Sequence, residues 1–185
     1  ESIKASSYLN TVLNLKHPSL LNCIGYSPYD FKNKYRPVYL MEKISNNSLN
    51  SLFELSEDNK TQIGWNETKK LIAVYGIASA MACLHLKKVV YCNLKACNVF
   101  LDEYLFPKIS LFILNERDYI FHKDDEYTAP EIMNQHTRNV IFNPESDVYS
   151  FAILAYKIII DHKIFNGISE FQINEMVCEQ KKRPE

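Results

Sequence analysis

Residues 90–102 read Val90-Tyr91-Cys92-Asn93-Leu94-Lys95-Ala96-Cys97-Asn98-Val99-Phe100-Leu101-Asp102, and they are the most informative part of this chain. They lie within residues 89–112, where short apolar runs are separated by polar residues. That pattern predicts three small strands around a polar loop. The loop contains Asn93, whose amide is uncharged and cannot take up a proton at neutral pH. A general base is therefore not expected at this position.

This loop resembles the catalytic loop of eukaryotic protein kinases, whose pattern is H-R-D-L-K-x-x-N. Tyr91, Cys92 and Asn93 stand at the positions of its His, Arg and Asp. Lys95 and Asn98 match its Lys and its final Asn. In that family the Asp accepts the proton of the substrate hydroxyl group. The resemblance therefore implies a protein kinase whose base has been replaced, which would make the chain a pseudokinase.

Further segments resemble kinase motifs in the order that the family has them. They begin with the turn from helix C into the fourth strand (15–21), the hinge with Met41 as gatekeeper (38–43) and the strand entering D-F-G (107–113). They continue with the A-P-E element (128–131), the start of the central helix (146–151) and the late basic segment (182–185). The resemblance implies an α+β, protein-kinase-like fold, mainly the helical C-lobe with a partial N-lobe of two strands and part of helix C. The expected boundaries are 1–44 for the partial N-lobe and hinge, and 45–185 for a C-lobe that lacks its last helices.

The resemblance also shows that the positions for phosphoryl transfer are substituted. Leu111 stands where the family has its main Mg²⁺ ligand, and an alkyl chain cannot coordinate a cation that requires oxygen ligands. Asn98 matches the second metal-binding position, and Lys95 matches the lysine that steadies the transferred phosphate. A loop-stabilising amide and a solvated lysine are equally weighted alternatives for these two residues. Tyr8 stands, by spacing, at the position of the helix C glutamate.

An adenine pocket is specified only in part. By resemblance, the hinge offers backbone groups at Glu42 and Ile44, and Phe100 lies beneath the base. Phenylalanine is bulkier than the aliphatic side chain expected there and would partly fill the pocket. No two of the four glycines are close enough in sequence to form a loop that cradles phosphate. ATP binding is left open, and Mg²⁺ is not expected.

The positions that hold a kinase framework together are kept, again by resemblance. Tyr91 and Phe112 can stack between the lobes, with Val12 and Cys23 at further apolar positions. Asp147 is expected to accept hydrogen bonds from the backbone of the catalytic loop.

Two further expectations concern charge. Glu131 is expected to pair with Arg183, or else to form only a surface pair. Because Cys92 replaces the arginine that anchors a phosphorylated activation loop, phosphorylation of Tyr119, Tyr127 or Thr128 would lack its usual counter-charge.

The bulk composition excludes several classes of protein. At 185 residues the chain suits one domain, with 46% hydrophobic residues, 23% charged residues and a net charge of −1. Lys and Arg are scattered, which argues against binding to nucleic acid. The five cysteines lack C-x-x-C spacing and are interpreted as reduced thiols. The longest apolar stretch, 71–86, falls short of the roughly 20 residues that span a bilayer, so a cytoplasmic location is expected.

The predicted function is a binding or regulatory module whose partner is another protein, such as an active kinase or a signalling protein. The alternative is an ATP-dependent serine/threonine protein kinase of low residual activity that uses Lys95 and Asn98. A purely structural remnant that binds no nucleotide is a third possibility.

Periodicity predicts the main elements. Strands are expected at 20–26 and 37–42 with a turn between them, and helices at 6–14, 65–86, 147–160 and 169–179. In the helix at 65–86, one apolar face is predicted to contain Leu71, Val74, Ile77, Met81 and Leu84. Ser146 is the predicted N-cap of the helix at 147–160.

Overall fold

The computed structural model describes residues 14–44, 47–111, 126–135, 141–161, 164–165 and 167–183. Within these ranges the chain forms four strands and six α-helices. In chain order they are β1 (Cys23–Tyr29), β2 (Tyr35–Met41), α1 (Leu49–Phe53), α2 (Glu57–Gln62), α3 (Glu67–Leu86), β3 (Val99–Leu101), β4 (Pro107–Ile109), α4 (Pro130–Met133), α5 (Pro144–Ile160) and α6 (Glu170–Asn174). This mixture of short strands and longer helices confirms the predicted α+β class and is consistent with a partial kinase fold.

The strands pair as two antiparallel hairpins, β1 with β2 and β3 with β4. Toward the turn, the first hairpin extends beyond the predicted strands because aromatic rings pair across it, whereas at the other end β1 begins three residues later and β2 ends one residue earlier than predicted. The ring centroids of Tyr26 and Tyr39 are 5.2 Å apart, and those of Tyr29 and Tyr35 are 5.8 Å apart. Such cross-strand pairs stabilise a sheet. The turn is correspondingly short, and Asp30 closes it by accepting two backbone hydrogen bonds.

Helix α3 begins at Glu67, where the side chain of Asn66 caps it by accepting a hydrogen bond from the N–H of Lys69. Its buried face differs from the predicted one, since Leu71 is 64% exposed. By length and composition α3 is apolar enough to cross a membrane, but core helices of globular domains have the same composition. Here it packs against both α5 and β4, and its buried residues are Ala73, Gly76, Ile77, Ala80, Met81 and Leu84.

Helix α5 starts three residues earlier than predicted. Pro144 occupies the first turn, where its fixed φ suits a helix and its missing N–H is not needed. The side chain of Asn143, not that of Ser146, caps the helix by accepting a hydrogen bond from the Ser146 N–H at 2.9 Å. The prediction that Ser146 is the N-cap is therefore wrong, and Ser146 is buried in the first turn instead.

Three other predicted elements differ from the structure. Within residues 89–111, the described part of the predicted range 89–112, two strands form and not three. The last predicted helix is divided into α6 and a π-helical turn, Glu175–Glu179, with a capping box at Ser169. The predicted helix at 6–14, including Tyr8 and Val12, lies outside the described residues except for Asn14, and so does Phe112. The domain division between residues 44 and 45 stays a prediction.

A buried ionic cluster fastens α2 to the end of α5. Lys60 is only 3% exposed, and its Nζ lies 2.9 Å from Asp161 and 3.0 Å from Glu57. Asp161 ends α5 in the left-handed region, with φ of 57°, and is itself buried. Lys70 approaches the other oxygen of Asp161 at 3.6 Å. The charges therefore compensate each other at a point where three elements meet.

Gly76 is required by a close approach between α3 and β4. A Cβ atom at this position would lie 2.6 Å from Cγ of Pro107 and 2.7 Å from Oγ of Ser19. Gly76→Ala should therefore lower the free energy of unfolding by about 1–3 kcal/mol through overpacking. The higher helix propensity of alanine, worth roughly 1 kcal/mol relative to glycine, opposes this destabilisation. Urea denaturation followed by circular dichroism measures the difference.

Gly25→Ala is the matched control for this substitution. A Cβ atom there would meet only Leu40, at 3.6 Å, which is ordinary contact. If Gly76→Ala unfolded at the same urea concentration as the unmodified chain, the close packing of α3 on β4 would be contradicted.

Lys60→Met should destabilise the fold by about 3–5 kcal/mol, because the buried carboxylate of Asp161 then keeps only the longer contact with Lys70 at 3.6 Å. Burial lowers the pKa of Lys60, but its hydrogen bonds to Asp161 and Glu57 outweigh burial and raise the pKa above the ordinary value of 10.5. The stabilisation from Lys60 is thus complete at neutral pH and is lost as the pH rises through the native pKa. Unfolding curves at pH 7 and above pH 10.5 test both statements.

The double variant Lys60→Met/Asp161→Asn provides the control, since it removes the uncompensated charge. It should recover part of the lost stability. Equal stability of Lys60→Met and the unmodified chain would show that the cluster contributes nothing.

Candidate functional site

The carboxylate of Asp147 holds the loop that the sequence singled out. It lies in the first turn of α5 and is 1% exposed. One oxygen accepts hydrogen bonds from the Tyr91 N–H and from Nε2 of His85, and the other accepts from the Cys92 N–H, each at 2.8 Å. The predicted role of Asp147 as an acceptor for the backbone of the loop is confirmed. His85, at the end of α3, is a partner that the sequence did not suggest.

The bend that Asp147 holds is strained at Cys92, whose φ is 65°. Left-handed backbone is uncommon for a residue with a side chain and costs about 1–3 kcal/mol. The hydrogen bonds from the N–H groups of Tyr91 and Cys92 offset that cost. The loop after Cys92 is consequently fixed to α5 by charge-assisted bonds.

Asn98 ties the two ends of the loop together. Its side-chain Nδ2 donates to the carbonyl of Asn93 at 2.8 Å, and its own carbonyl accepts from the Ser110 N–H at 2.9 Å. This geometry supports the alternative in which Asn98 stabilises the loop. Its role as a metal ligand, the degenerate base position at Asn93 and the phosphate role of Lys95 stay predictions.

Leu111, at the position of the main metal ligand, is 6% exposed and belongs to the apolar core cluster. The residue before it is held by Tyr91, whose hydroxyl group donates to the Ser110 carbonyl. Tyrosine in place of histidine is the signal that could have predicted this bond, because a buried tyrosine hydroxyl needs a partner. Within the part of the chain that the structure describes, no three His, Cys, Asp or Glu side chains are grouped so that they could hold a metal ion.

The predicted nucleotide-contacting residues lie at the end of β2 and on β3. Glu42 is tied to the turn before β1, since its N–H donates to the Asn22 carbonyl and its Oε1 accepts from the Asn22 N–H, both at 2.9 Å. The same Oε1 lies 3.3 Å from Nζ of Lys108. Phe100 is partly buried opposite Lys108 in the β3–β4 pair, and Ile44 is partly buried. Whether these residues contact a nucleotide stays a prediction.

The end of the activation-segment-like stretch is packed onto α5. Tyr127 is 7% exposed and Thr128 is 3% exposed. Nζ of Lys157 lies 3.2 Å from the Tyr127 hydroxyl and 2.8 Å from Oε1 of Glu126. A buried lysine in an apolar helix face was not predicted, although an isolated charge among aliphatic residues is a signal for such a pair. In this conformation the side chains of Tyr127 and Thr128 are buried, so a modifying enzyme cannot reach them.

The predicted ion pair between Glu131 and Arg183 does not form, although both residues are described. The guanidinium group of Arg183 lies 5.6 Å from the ring centroid of Tyr149 and donates to the carbonyl groups of Val177 and Lys182. Glu131 is exposed to solvent, where an ion pair gains little free energy. Burial raises the pKa of Tyr149, and the charge of Arg183 opposes that effect.

Several known proteins have sequences similar to that of this chain. The profile of the protein kinase domain matches residues 4–184. A probable serine/threonine-protein kinase of Dictyostelium discoideum is 28% identical over 179 residues, which cover 93% of this chain and 13% of that protein. The RGS domain-containing serine/threonine-protein kinase A of the same organism is 30% identical over 175 residues, with 92% and 14% covered.

A G-type lectin S-receptor-like serine/threonine-protein kinase of Arabidopsis thaliana is 29% identical over 168 residues, covering 84% of this chain and 19% of that protein. The chain thus spans less than a quarter of the length of these relatives. Because the domain profile covers nearly all of its residues and the loop anchored by Asp147 has the expected geometry, the chain belongs to the protein kinase domain family.

Proposed function

We propose that this domain is a catalytically inactive member of its family and acts as a regulatory or protein-binding module. The observation that carries the proposal is Leu111, which is buried in the apolar core at the position of the main Mg²⁺ ligand. Mg²⁺ requires oxygen ligands in near-octahedral geometry. An aliphatic side chain at this position supplies none.

The substitution at Asn93 supports the same proposal. A positioned general base contributes on the order of 10²–10⁴-fold to rate, and an amide cannot take its place. Metal ions in phosphoryl transfer neutralise the charge that develops on the phosphate oxygens. With both contributions weakened, the domain retains the packed framework of a kinase without its chemistry. A protein in this state can act through the surfaces it presents to a partner.

A second candidate function, an ATP-dependent serine/threonine protein kinase of low activity, is favoured by one observation. The loop that contains Lys95 and Asn98 is held by Asp147 and by the bond from Asn98 to the Asn93 carbonyl. Preorganised groups can supply part of a rate enhancement even when one catalytic group is lost. Enzymatic activity therefore has to be tested directly.

The purified protein should transfer no radiolabelled phosphate from ATP to itself or to a generic protein substrate, with Mg²⁺ or Mn²⁺ present. The physical reason is the absence of a carboxylate at Asn93 and at Leu111. Scintillation counting after gel separation measures the transfer.

The matched control is the double variant Asn93→Ala/Lys95→Ala. Transfer that persists in it would identify a contaminating kinase and leave the native protein inactive. Transfer by the native protein that disappears in the variant would overturn the proposal, whereas a rise in melting temperature with ATP that requires Mg²⁺ would contradict only the argument from Leu111.

Asp147→Asn should lower the free energy of unfolding by about 1–3 kcal/mol, because one of the two buried N–H groups at Tyr91 and Cys92 loses its acceptor. Hydrogen exchange measured by mass spectrometry should become faster across the loop. Asp102→Asn is the control. The Asp102 carboxylate accepts hydrogen bonds from the N–H groups of Tyr104 and Phe106 in an exposed turn, so its replacement should lower the free energy of unfolding by less. Equal effects of the two substitutions would mean that Asp147 is not the main anchor of the loop.

A further inference from the structure

A groove of about 310 Å³ lies between the turn that precedes β1, the end of β2 and strand β4. Its volume is at the lower end of the range of about 300–1,000 Å³ in which proteins bind ligands. It is open to solvent along one side, a shape that suits an extended segment of chain better than an enclosed small molecule. Glu42, one of the predicted nucleotide-contacting residues, lies at its edge, and the proposed function gives its other lining residues no role.

The floor of the groove is apolar and rigid. Leu15 and Leu20 are 7% and 2% exposed, so their side chains are fixed in the core. Pro18 lies between them in sequence and is exposed. The apolar surface that the groove still exposes to water is therefore that of Pro18, and an aliphatic side chain packed against Pro18 would cover it.

The rim of the groove carries a surplus of positive charge. It contains the two lysines Lys16 and Lys108 and one carboxylate, Glu42. Lys16 is exposed, and its ammonium group donates to the side chain of Asn22. The contact between Lys108 and Glu42 is 3.3 Å long, which is longer than the 2.7–2.9 Å of a strong charge-assisted hydrogen bond. Each ammonium group has three donors, so both lysines can bind a further acceptor.

His17 adds no charge to the rim. Its Nδ1 accepts a hydrogen bond from the Ser19 N–H at 3.1 Å, so the proton of the neutral ring is on Nε2, which lies 3.0 Å from Oγ of Ser79. This pairing fixes the ring at the inner wall of the groove. The lysines therefore determine the sign of the potential that a ligand meets.

We propose that this groove is a docking site for an acidic peptide segment of a partner protein, in which carboxylate side chains flank an aliphatic residue. The carboxylates would bind Lys16 and Lys108, and the aliphatic residue would lie against Pro18, above the buried side chains of Leu15 and Leu20. This inference rests on the proposed function, because it names the chemistry of the protein partner. Complementary charge of this kind increases association rates and selects among partners.

Fluorescence anisotropy with labelled peptide pools tests the proposal. The probe pool contains capped hexapeptides in which Asp or Glu flank Leu, Ile or Val, and the matched pool has Lys or Arg in place of the acids. The acidic pool should bind with saturation, and added salt should weaken the binding because it screens the charges. The basic pool should not bind.

Lys16→Glu is the decisive variant, since Lys16 is exposed and its replacement leaves the core intact. It should weaken binding of the acidic pool about tenfold or more. The matched control is Lys87→Glu, which reverses an exposed lysine outside the groove and should leave the affinity unchanged. Lys108→Gln is a second variant that should also weaken binding of the acidic pool. The unfolding midpoint of each variant is measured to show that it is folded.

Three outcomes would overturn the docking site: no saturable binding of the acidic pool, equal binding of both pools, or equal losses in Lys16→Glu and Lys87→Glu. These outcomes are distinct from failure of the proposed function. Phosphate transfer that depends on Asn93 and Lys95 would remove the pseudokinase proposal without changing peptide affinity. A groove that binds no peptide would leave the inactive chemistry of the domain as proposed.

Discussion

One buried carboxylate, that of Asp147, connects the helical core to the polar loop. It is charged, almost fully enclosed and bonded to two backbone N–H groups and a histidine ring. A buried charge is tolerated only when its hydrogen-bonding capacity is used. The loop must therefore adopt the strained turn at Cys92 for Asp147 to be satisfied, and α5 must pack against α3 for Asp147 to reach it. Local strain and global packing stabilise each other at this residue.

The framework of the domain and the chemistry of phosphoryl transfer depend on different kinds of interaction. Packing contacts around α3 and α5 require shape and apolar area, which many side chains can supply. Phosphoryl transfer instead requires particular oxygen atoms at particular points. Leucine at position 111 contributes to the apolar core. If the domain is inactive as proposed, the absence of a metal ligand at that position costs the fold no stability.

The sequence predicted the features that depend on periodicity and motif order. The features in this group are the long helices α3 and α5, the strands β1 and β2 of the first hairpin, and the anchoring role of Asp147. Prediction from the sequence was wrong where tertiary contacts decide which face of a helix is buried. Leu71 fits the apolar period of α3 but is exposed, because small residues such as Gly76 and Ala80 form the close-packed face. The cap at Asn143 was missed because Ser146 and Asn143 are both good capping residues, and only the proline between them determines the start. Pairs far apart in sequence, such as Lys60 with Asp161, carry no local signal.

The packing of Tyr127 against Lys157 has a consequence for covalent regulation. A hydroxyl group that is enclosed and bonded to an ammonium group can be phosphorylated only in molecules where the segment has detached from α5. The rate of such a modification would be proportional to the small fraction of opened molecules. Once added, the phosphate would be repelled by Glu126 and would compete with it for the ammonium group of Lys157.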